Sequence, residues 1–219
     1  MRYLVTRLPA APPVDAMWNR QPWKNVPALT LGYYMGDKPE HAPRVEARLG
    51  YDADALYAIF RVEDRYVRAV ARQDQDPVCR DSCVEFFFVP GTDIAGGYFN
   101  LEINCGGIML FHFQKKPRKD AAPIAAADLA EVARAHSLPA RVEPELKENV
   151  VWTVAYRMPF GFLSRYRAAE RPGPGTVWRA NFYKCADETS HPHWLTWTPV
   201  RRPQPDFHVP EDFGMLEFA

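Results

Sequence analysis

The chain has 219 residues, enough for one large domain, and 47% of them are hydrophobic, enough for a substantial core. Lys plus Arg and Asp plus Glu number 27 each, so no bulk charge draws the protein to nucleic acid or to an anionic membrane. The 21 prolines cut segments short and argue against long helices.

The N-terminus opens on a short strand, "RYLVTRL", followed by a Pro-rich wrap that contains Trp18 and Trp23. It has no signal-peptide core, and no later stretch reaches transmembrane length. The chain therefore reads as a soluble, cytoplasmic protein with reduced thiols, or a secreted one if a leader has been cleaved. "RVEARLGYDADALYAIFRVED" predicts two strands, 44–49 and 55–63, joined at a Gly/Asp turn. "YVRAVA" and "DSCVEFFFVP" predict a third and a fourth, the latter ended by Pro90. "YFNLEIN" and "GGIMLFHF" are separated by a Gly pair, as antiparallel hairpins often are. "AAADLAEV" is the best helix candidate, of about two turns. Strands are expected within 133–146, and "NVVWTVAYRM" and "TVWRANFYKCA" predict two more. "PFGFLSRY" reads as one helical turn. A long loop from His191 leads to a terminal strand. Short strands at this spacing, with no internal repeat or linker, predict an all-β fold: an antiparallel β-sandwich of jelly-roll type spanning 1–219 as one domain, with one or two short helices.

Strand parity nominates a site. Alternate residues share a face. Phe99, Leu101 and Ile103 form one apolar row, leaving Tyr98, Asn100, Glu102 and Asn104 opposite. Val84, Phe86 and Phe88 likewise leave Cys83, Glu85 and Phe87 opposite. Trp178, Ala180 and Phe182 leave Arg179, Asn181 and Tyr183. Asn is depleted in strands because its side chain competes with backbone pairing, so two Asn and a Glu alternating along one strand are unusual. Were these strands neighbours, Glu85, Asn100, Glu102, Asn104, Arg179, Asn181 and Tyr183 would gather on one concave surface. Such groups suit paired hydrogen bonds to the vicinal hydroxyls of a saccharide. Glu85 and Arg179 would be the main orienting groups, paired with each other when no sugar is bound. Trp194 and Trp197, in the tail loop, are the candidate stacking rings. The plainer reading is a solvated sheet face or a structural salt-bridge network.

Other chemistry is weaker. The cysteines, Cys79, Cys83, Cys105 and Cys185, form no CxxC pair, which argues against structural zinc. His191 and His193 form a His-x-His pair, and His208 follows in the same tail; loop anchoring suits them better than metal binding. Asp52, Asp54 and Asp64 lie in turns and have the oxygen chemistry for a structural calcium, although Asp in a turn needs none. Glu85 and Glu102 are the one pair that a glycosidase mechanism could use. A scaffold without ligand is the third reading.

"RDSCVEFFFVP", "YFNLEINCGG", "WRANFYKCADETSHPHWLTWTPV" and "PDFHVPEDFGMLEF", with the upstream "DADALYAIFRVED" and the stretch from Trp152 to Pro159, resemble the family 9-like carbohydrate-binding proteins over nearly the whole chain. The resemblance implies a jelly-roll sandwich and non-catalytic sugar recognition, with a glycan end held between two Trp rings. It also implies a structural calcium, as in some relatives, and a polar sugar contact at Glu85. One departure stands out: where the motif usually reads Trp-x-Asp-Ser-Cys-Val-Glu, this chain has Cys79. Without that ring, binding is expected to weaken, into the millimolar range at about −4 kcal/mol, unless Trp194 or Tyr183 substitutes for it.

Overall fold

The computed structural model describes residues 1–169 and 171–219. Its strands are β1 (Arg2–Arg7), β2 (Leu29–Thr30), β3 (Tyr33–Tyr34), β4 (Arg44–Tyr51), β5 (Ala55–Asp64), β6 (Val67–Ala69), β7 (Cys83–Val89) and β8 (Tyr98–Asn104). They continue as β9 (Met109–Gln114), β10 (Ala121–Pro123), β11 (Ala133–His136), β12 (Val142–Leu146), β13 (Val150–Pro159), β14 (Val177–Cys185), β15 (Trp194–Thr196) and β16 (Gly214–Phe218). The expected helix shrinks to the single turn α1 (Ala126–Leu129), and the turn near "PFGFLSRY" is a 3-10 turn at Leu163–Arg165. With Pro123 just before it and no side-chain cap on Ala125, α1 has little to extend it.

The fold is a β-sandwich made by one curled sheet. One layer runs β10-β9-β8-β7-β14-β16 and the other β4-β5-β13-β11, with β1 between them. β1 pairs in parallel with β16 through Arg2–Val5 and with β4 through Thr6 and Arg7, and so passes from one layer to the other. The apolar rows read from the sequence meet between the layers. Val84, Phe86, Phe88, Leu101 and Ile103 face Val45, Leu49, Phe60, Val62, Trp152 and Tyr156 in a single buried cluster. Its aromatic rings stack closely, as at Phe86–Phe182 with centroids 4.9 Å apart and Phe88–Trp178 at 5.4 Å.

Parts of the outer faces of both layers are covered as well. The N-terminal wrap lays Leu8, Trp23 and Val26 over Tyr57 and Ile59. On the other layer, Met35, Val78, Phe207 and Phe213 from loops cover Cys83, Phe87, Val89, Tyr98 and Tyr183. β7 and β8 are consequently buried at every position. The face expected to be a solvated or open concave surface therefore lies beneath the C-terminal tail.

Candidate functional site

The register brings the three central strands together as parity requires. Glu85 of β7 stands opposite Glu102 of β8 and opposite Tyr183 of β14. The tail covers this face incompletely and leaves a cleft of about 150 Å³. Glu85, Phe87, Glu102 and Cys185 line it from the strands; Cys79, Asp187 and Trp194 line it from loops and the start of β15; Arg118 and Pro205 to His208 complete it.

Of the nine residues that parity and aromatic content nominated, Glu85, Glu102 and Trp194 reach the cleft. Asn100 stands behind it. Its amide donates to Glu102 Oε1 at 3.0 Å and its oxygen accepts from Gln114 Nε2 at 2.9 Å, which orients the carboxyl group. The other five serve the fold. Asn104 Oδ1 accepts from the backbone N–H of Gly106 and Ile108, at 3.1 and 2.9 Å, and its Nδ2 donates to Asp81. It thereby caps the tight β8–β9 turn, where Gly107 has φ +86°. Asn181 clasps Thr198 through both amide ends, at 3.2 and 2.9 Å. Tyr183 stacks on Phe207 at 4.1 Å and donates to its carbonyl at 3.0 Å. Arg179 donates to the Phe213 carbonyl from Nε at 3.0 Å. It stands opposite Val89, four residues along β14 from the position facing Glu85, so the expected Glu85–Arg179 partnership does not form. Trp197, 3% exposed, packs edge-to-face on Phe182 inside the core. For Arg179, Asn181 and Tyr183 the cause is the tail: parity picks the face of a strand, and the loop above decides whether a polar group there meets ligand or backbone.

The residues missed by sequence reasoning come mostly from loops without periodicity. Arg118 and Asp206 lie 88 positions apart and join at 2.9 Å. Arg118 has a left-handed φ of +58°, a conformation that costs a non-Gly residue about 1–2 kcal/mol. Asp187 accepts from Trp194 Nε1 at 2.8 Å and so fixes the indole at the cleft. His208 lines the cleft while its Nδ1 lies 2.7 Å from the Tyr98 hydroxyl.

The electrostatics of the cleft follow from burial. Glu85 is 2% and Glu102 6% exposed. Desolvation first pushes both above the ordinary carboxylate range, reinforced at Glu85 by the charge of Glu102; at Glu102 the Asn100 amide offsets part of the rise and Asp187 adds to it. Burial also raises Asp187, with Trp194 and Cys79 donors offsetting part of it. Asp206 differs: burial raises it, but the Arg118 guanidinium and the His208 N–H outweigh that and hold it low. Burial, reinforced by Arg118, lowers His208 to about 4 and keeps the ring neutral near pH 7. Among the described residues, neither Glu85 nor Glu102 forms an ion pair; Glu85 receives the Cys185 thiol at 3.0 Å and Glu102 receives Asn100. Carboxyl groups that hold a proton both donate and accept, which is what adjacent hydroxyls require.

The metal expectations resolve by position. Asp52 and Asp54 lie in the β4–β5 turn, where Asp52 accepts from the N–H of Asp54 and Ala55 and from the Tyr57 hydroxyl. Asp64 is at the far end of β5, paired with Lys184. The three aspartates therefore do not converge on one cation. His191 stacks on Tyr66 at 3.6 Å, whereas His193 faces Lys184 at 2.7 Å.

The family model for carbohydrate-binding family 9 matches residues 20–218. A proposed carbohydrate-binding protein from Bacteroides uniformis ATCC 8492 is similar at 27% identity, with a TM-score of 0.89, covering 100% of this chain and 99% of that one. A carbohydrate-binding module of family 9 from Caldicellulosiruptor kristjanssonii, in complex with glucose, shares the fold at 15% identity and a TM-score of 0.68, covering 100% of this chain and 96% of that one. The same module in complex with cellotriose gives 15% and 0.68, with 100% and 93% covered. No curated protein matches the sequence.

Proposed function

Because the chain belongs to carbohydrate-binding family 9, we propose that it binds a saccharide without transforming it, and that one terminal sugar ring enters the cleft at Trp194. The observation that carries this reading is the Glu85–Glu102 pair: two carboxyl groups side by side, buried, in no ion pair among the described residues, opening on a cleft with an indole at its wall. Their hydroxyl-like donor and carbonyl acceptor atoms match vicinal sugar hydroxyls, Arg118 supplies further donors, and Trp194 offers an apolar face. At about 150 Å³ the cleft is smaller than the roughly 300–1,000 Å³ of pockets that hold drug-sized ligands, which suits one ring better than a chain laid along a groove. Relatives of the same fold hold glucose and cellotriose, which supports glucose-type ends as the first ligands to try.

The two carboxyl groups also raise the hydrolytic alternative. A glycosidase places its pair on either side of the scissile bond. Glu85 and Glu102 project from directly opposed positions on adjacent strands, toward the same side, an arrangement that favours holding a sugar over cleaving it. Isothermal titration of the wild type, Glu85→Ala and Trp194→Ala with glucose and cellotriose tests the reading. Heat of binding is expected for the wild type and lost in Glu85→Ala, with thermal unfolding retained. Unchanged binding in Glu85→Ala removes the residue from the site, and release of glucose from cellotriose by the wild type refutes the non-catalytic assignment.

A further inference from the structure

We propose that Cys83, Cys185 and Glu85 chelate a thiophilic divalent cation of the zinc and cadmium class at the floor of this cleft. The ligand atoms of the three side chains all lie within 4.8 Å of one another, and all three residues are buried. The sheet explains why they converge. Cys83 and Cys185 oppose each other across the β7–β14 pair, and Glu85, two residues beyond Cys83, projects from the same face. Cys185 Sγ already rests 3.0 Å from Glu85 Oε1. Two sulfurs and a carboxylate oxygen form a donor set that selects borderline-soft ions over calcium or magnesium.

A second observation concerns access. Among the described residues, the Cys185 thiol is the one hydrogen-bond partner of Glu85, which is 2% exposed. Its second oxygen is unpartnered, and both Glu85 and Cys185 line the cleft. An ion therefore has an entry path and room for a further ligand, as three-residue sites require. On binding, both S–H bonds and the carboxyl O–H of Glu85 break, the three protons leave to solvent through the cleft, and each sulfur and one carboxylate oxygen lend an electron pair to the ion, so no oxidant or reductant is needed. Lys184 Nζ, 3.0 Å from the Cys185 carbonyl, offsets part of the negative charge of two thiolates and a carboxylate. Glu85 serves both this site and the saccharide reading, so ion and sugar compete for it.

The test is titration of the reduced, metal-free full chain with Cd²⁺, followed by its sulfur-to-cadmium charge-transfer absorbance and by X-ray absorption at the cadmium edge. The expected result is saturation at one ion per chain with two sulfur neighbours. Cys83→Ser and Cys185→Ser should each weaken binding by more than about tenfold, exceeding the lower limit for loss of an outer-shell partner, while Cys79→Ser and Cys105→Ser leave it unchanged. Absence of the band in the wild type, or its survival in the Cys83→Ser/Cys185→Ser double variant, overturns the proposal. Should the serine variants fail to fold, fewer than two sulfur neighbours in the wild type overturns it instead. Glucose titration separates the two readings. Cys83→Ser, whose side chain does not line the cleft, should keep glucose binding while losing cadmium, and cadmium binding by a wild type that ignores glucose leaves this site standing without the saccharide one.

Discussion

On the inner face of β14, Lys184 is fully buried and every neighbour answers its charge: Asp64 Oδ2 lies at 3.5 Å, His193 Nε2 at 2.7 Å and the Cys185 carbonyl at 3.0 Å. Asp64 in turn meets His41 at 2.9 Å, the Arg65 N–H at 2.8 Å and Trp152 Nε1 at 3.2 Å. On the outer face, Glu85 and Glu102 are nearly as buried but meet a thiol, an amide and each other. Burial raises Asp64 too, yet Lys184 and the surrounding donors outweigh it and leave the carboxylate well below its ordinary range. The two clusters show that burial alone does not mark a binding site. A closed network satisfies its charges internally and joins the two layers of the sandwich. A carboxyl pair with no ion pair of its own among the described residues, facing a cleft, still has bonds to offer.

The largest expected effect tests the closed cluster. Lys184→Met leaves Asp64 buried without its cation and should cost about 3–5 kcal/mol, read as a lower urea midpoint. The saccharide affinity of the folded protein should not change, because Lys184 lies behind the cleft. A loss under about 1 kcal/mol would mean that the pair is dispensable and that the contrast between the faces is weaker than the distances imply.

Glu85→Gln addresses the open cluster and should do the reverse. Removing a carboxyl group that burial and Glu102 already disfavour as an anion should leave the denaturation midpoint unchanged or raise it. Saccharide binding should weaken by about 1.5–3 kcal/mol, roughly ten- to a hundredfold, the range for a hydrogen bond to a charged or strongly polar group. Titration calorimetry and denaturation of the same variant decide it, and a large stability loss with intact binding would exchange the roles of the two clusters.

Acid distinguishes the buried histidines from the carboxyl pair by sign. His193 is lowered to about 3, by burial first and Lys184 next, and His208 to about 4. A histidine whose folded pKa lies below its unfolded value stabilises fully above about pH 6.5, and the contribution is lost as pH falls toward the folded value, by up to about 1.4 kcal/mol per pH unit for each ring. The raised Glu85–Glu102 pair acts oppositely: the native state holds the extra proton, so stability rises as pH falls from neutral toward about 4.5. His193→Gln should therefore flatten the acid loss of stability, whereas the Glu85→Gln/Glu102→Gln double variant should steepen it. Denaturant midpoints between pH 7 and pH 4 check both slopes, and equal slopes for the two variants would contradict the assignment.

Much of this was legible in the strands and little of it in the loops. Alternation in "SCVEFFF", "YFNLEIN" and "VWRANFYK" placed Phe86, Leu101 and Phe182 in the core and Glu85 with Glu102 on the far face. The same alternation carried one step further lands on Lys184 at the end of the Trp178, Ala180, Phe182 row, and on Asp64 at the end of the Leu56, Ala58, Phe60, Val62 row. A charged residue closing an apolar row on each of two strands was the available signal for the ion pair between layers. Arg179, Asn181 and Tyr183 were placed on the right face, but their bonds go to the backbone of Phe213, Thr198 and Phe207, in a tail whose path no periodicity encodes. Arg118 and Asp206 depend on the same path.

The smallest expected effect concerns the position where this chain departs from its family. Cys79 lines the cleft together with Trp194 and is partly exposed, so a larger side chain there has solvent on one side. Its backbone carbonyl accepts from the Asp187 N–H at 3.0 Å, a bond that any residue at 79 retains, so Asp187 would still hold the Trp194 indole. Cys79→Trp should thus add a second ring without dismantling the first. A further aromatic contact is worth about 1 kcal/mol, or roughly fivefold in Kd for glucose. Tighter binding would mean that the open cluster is a saccharide site lacking one of two walls. Weaker binding with an intact fold would mean that the space beside Cys79 is itself occupied by ligand, and that this cleft accepts a bulkier sugar end than a two-ring clamp allows.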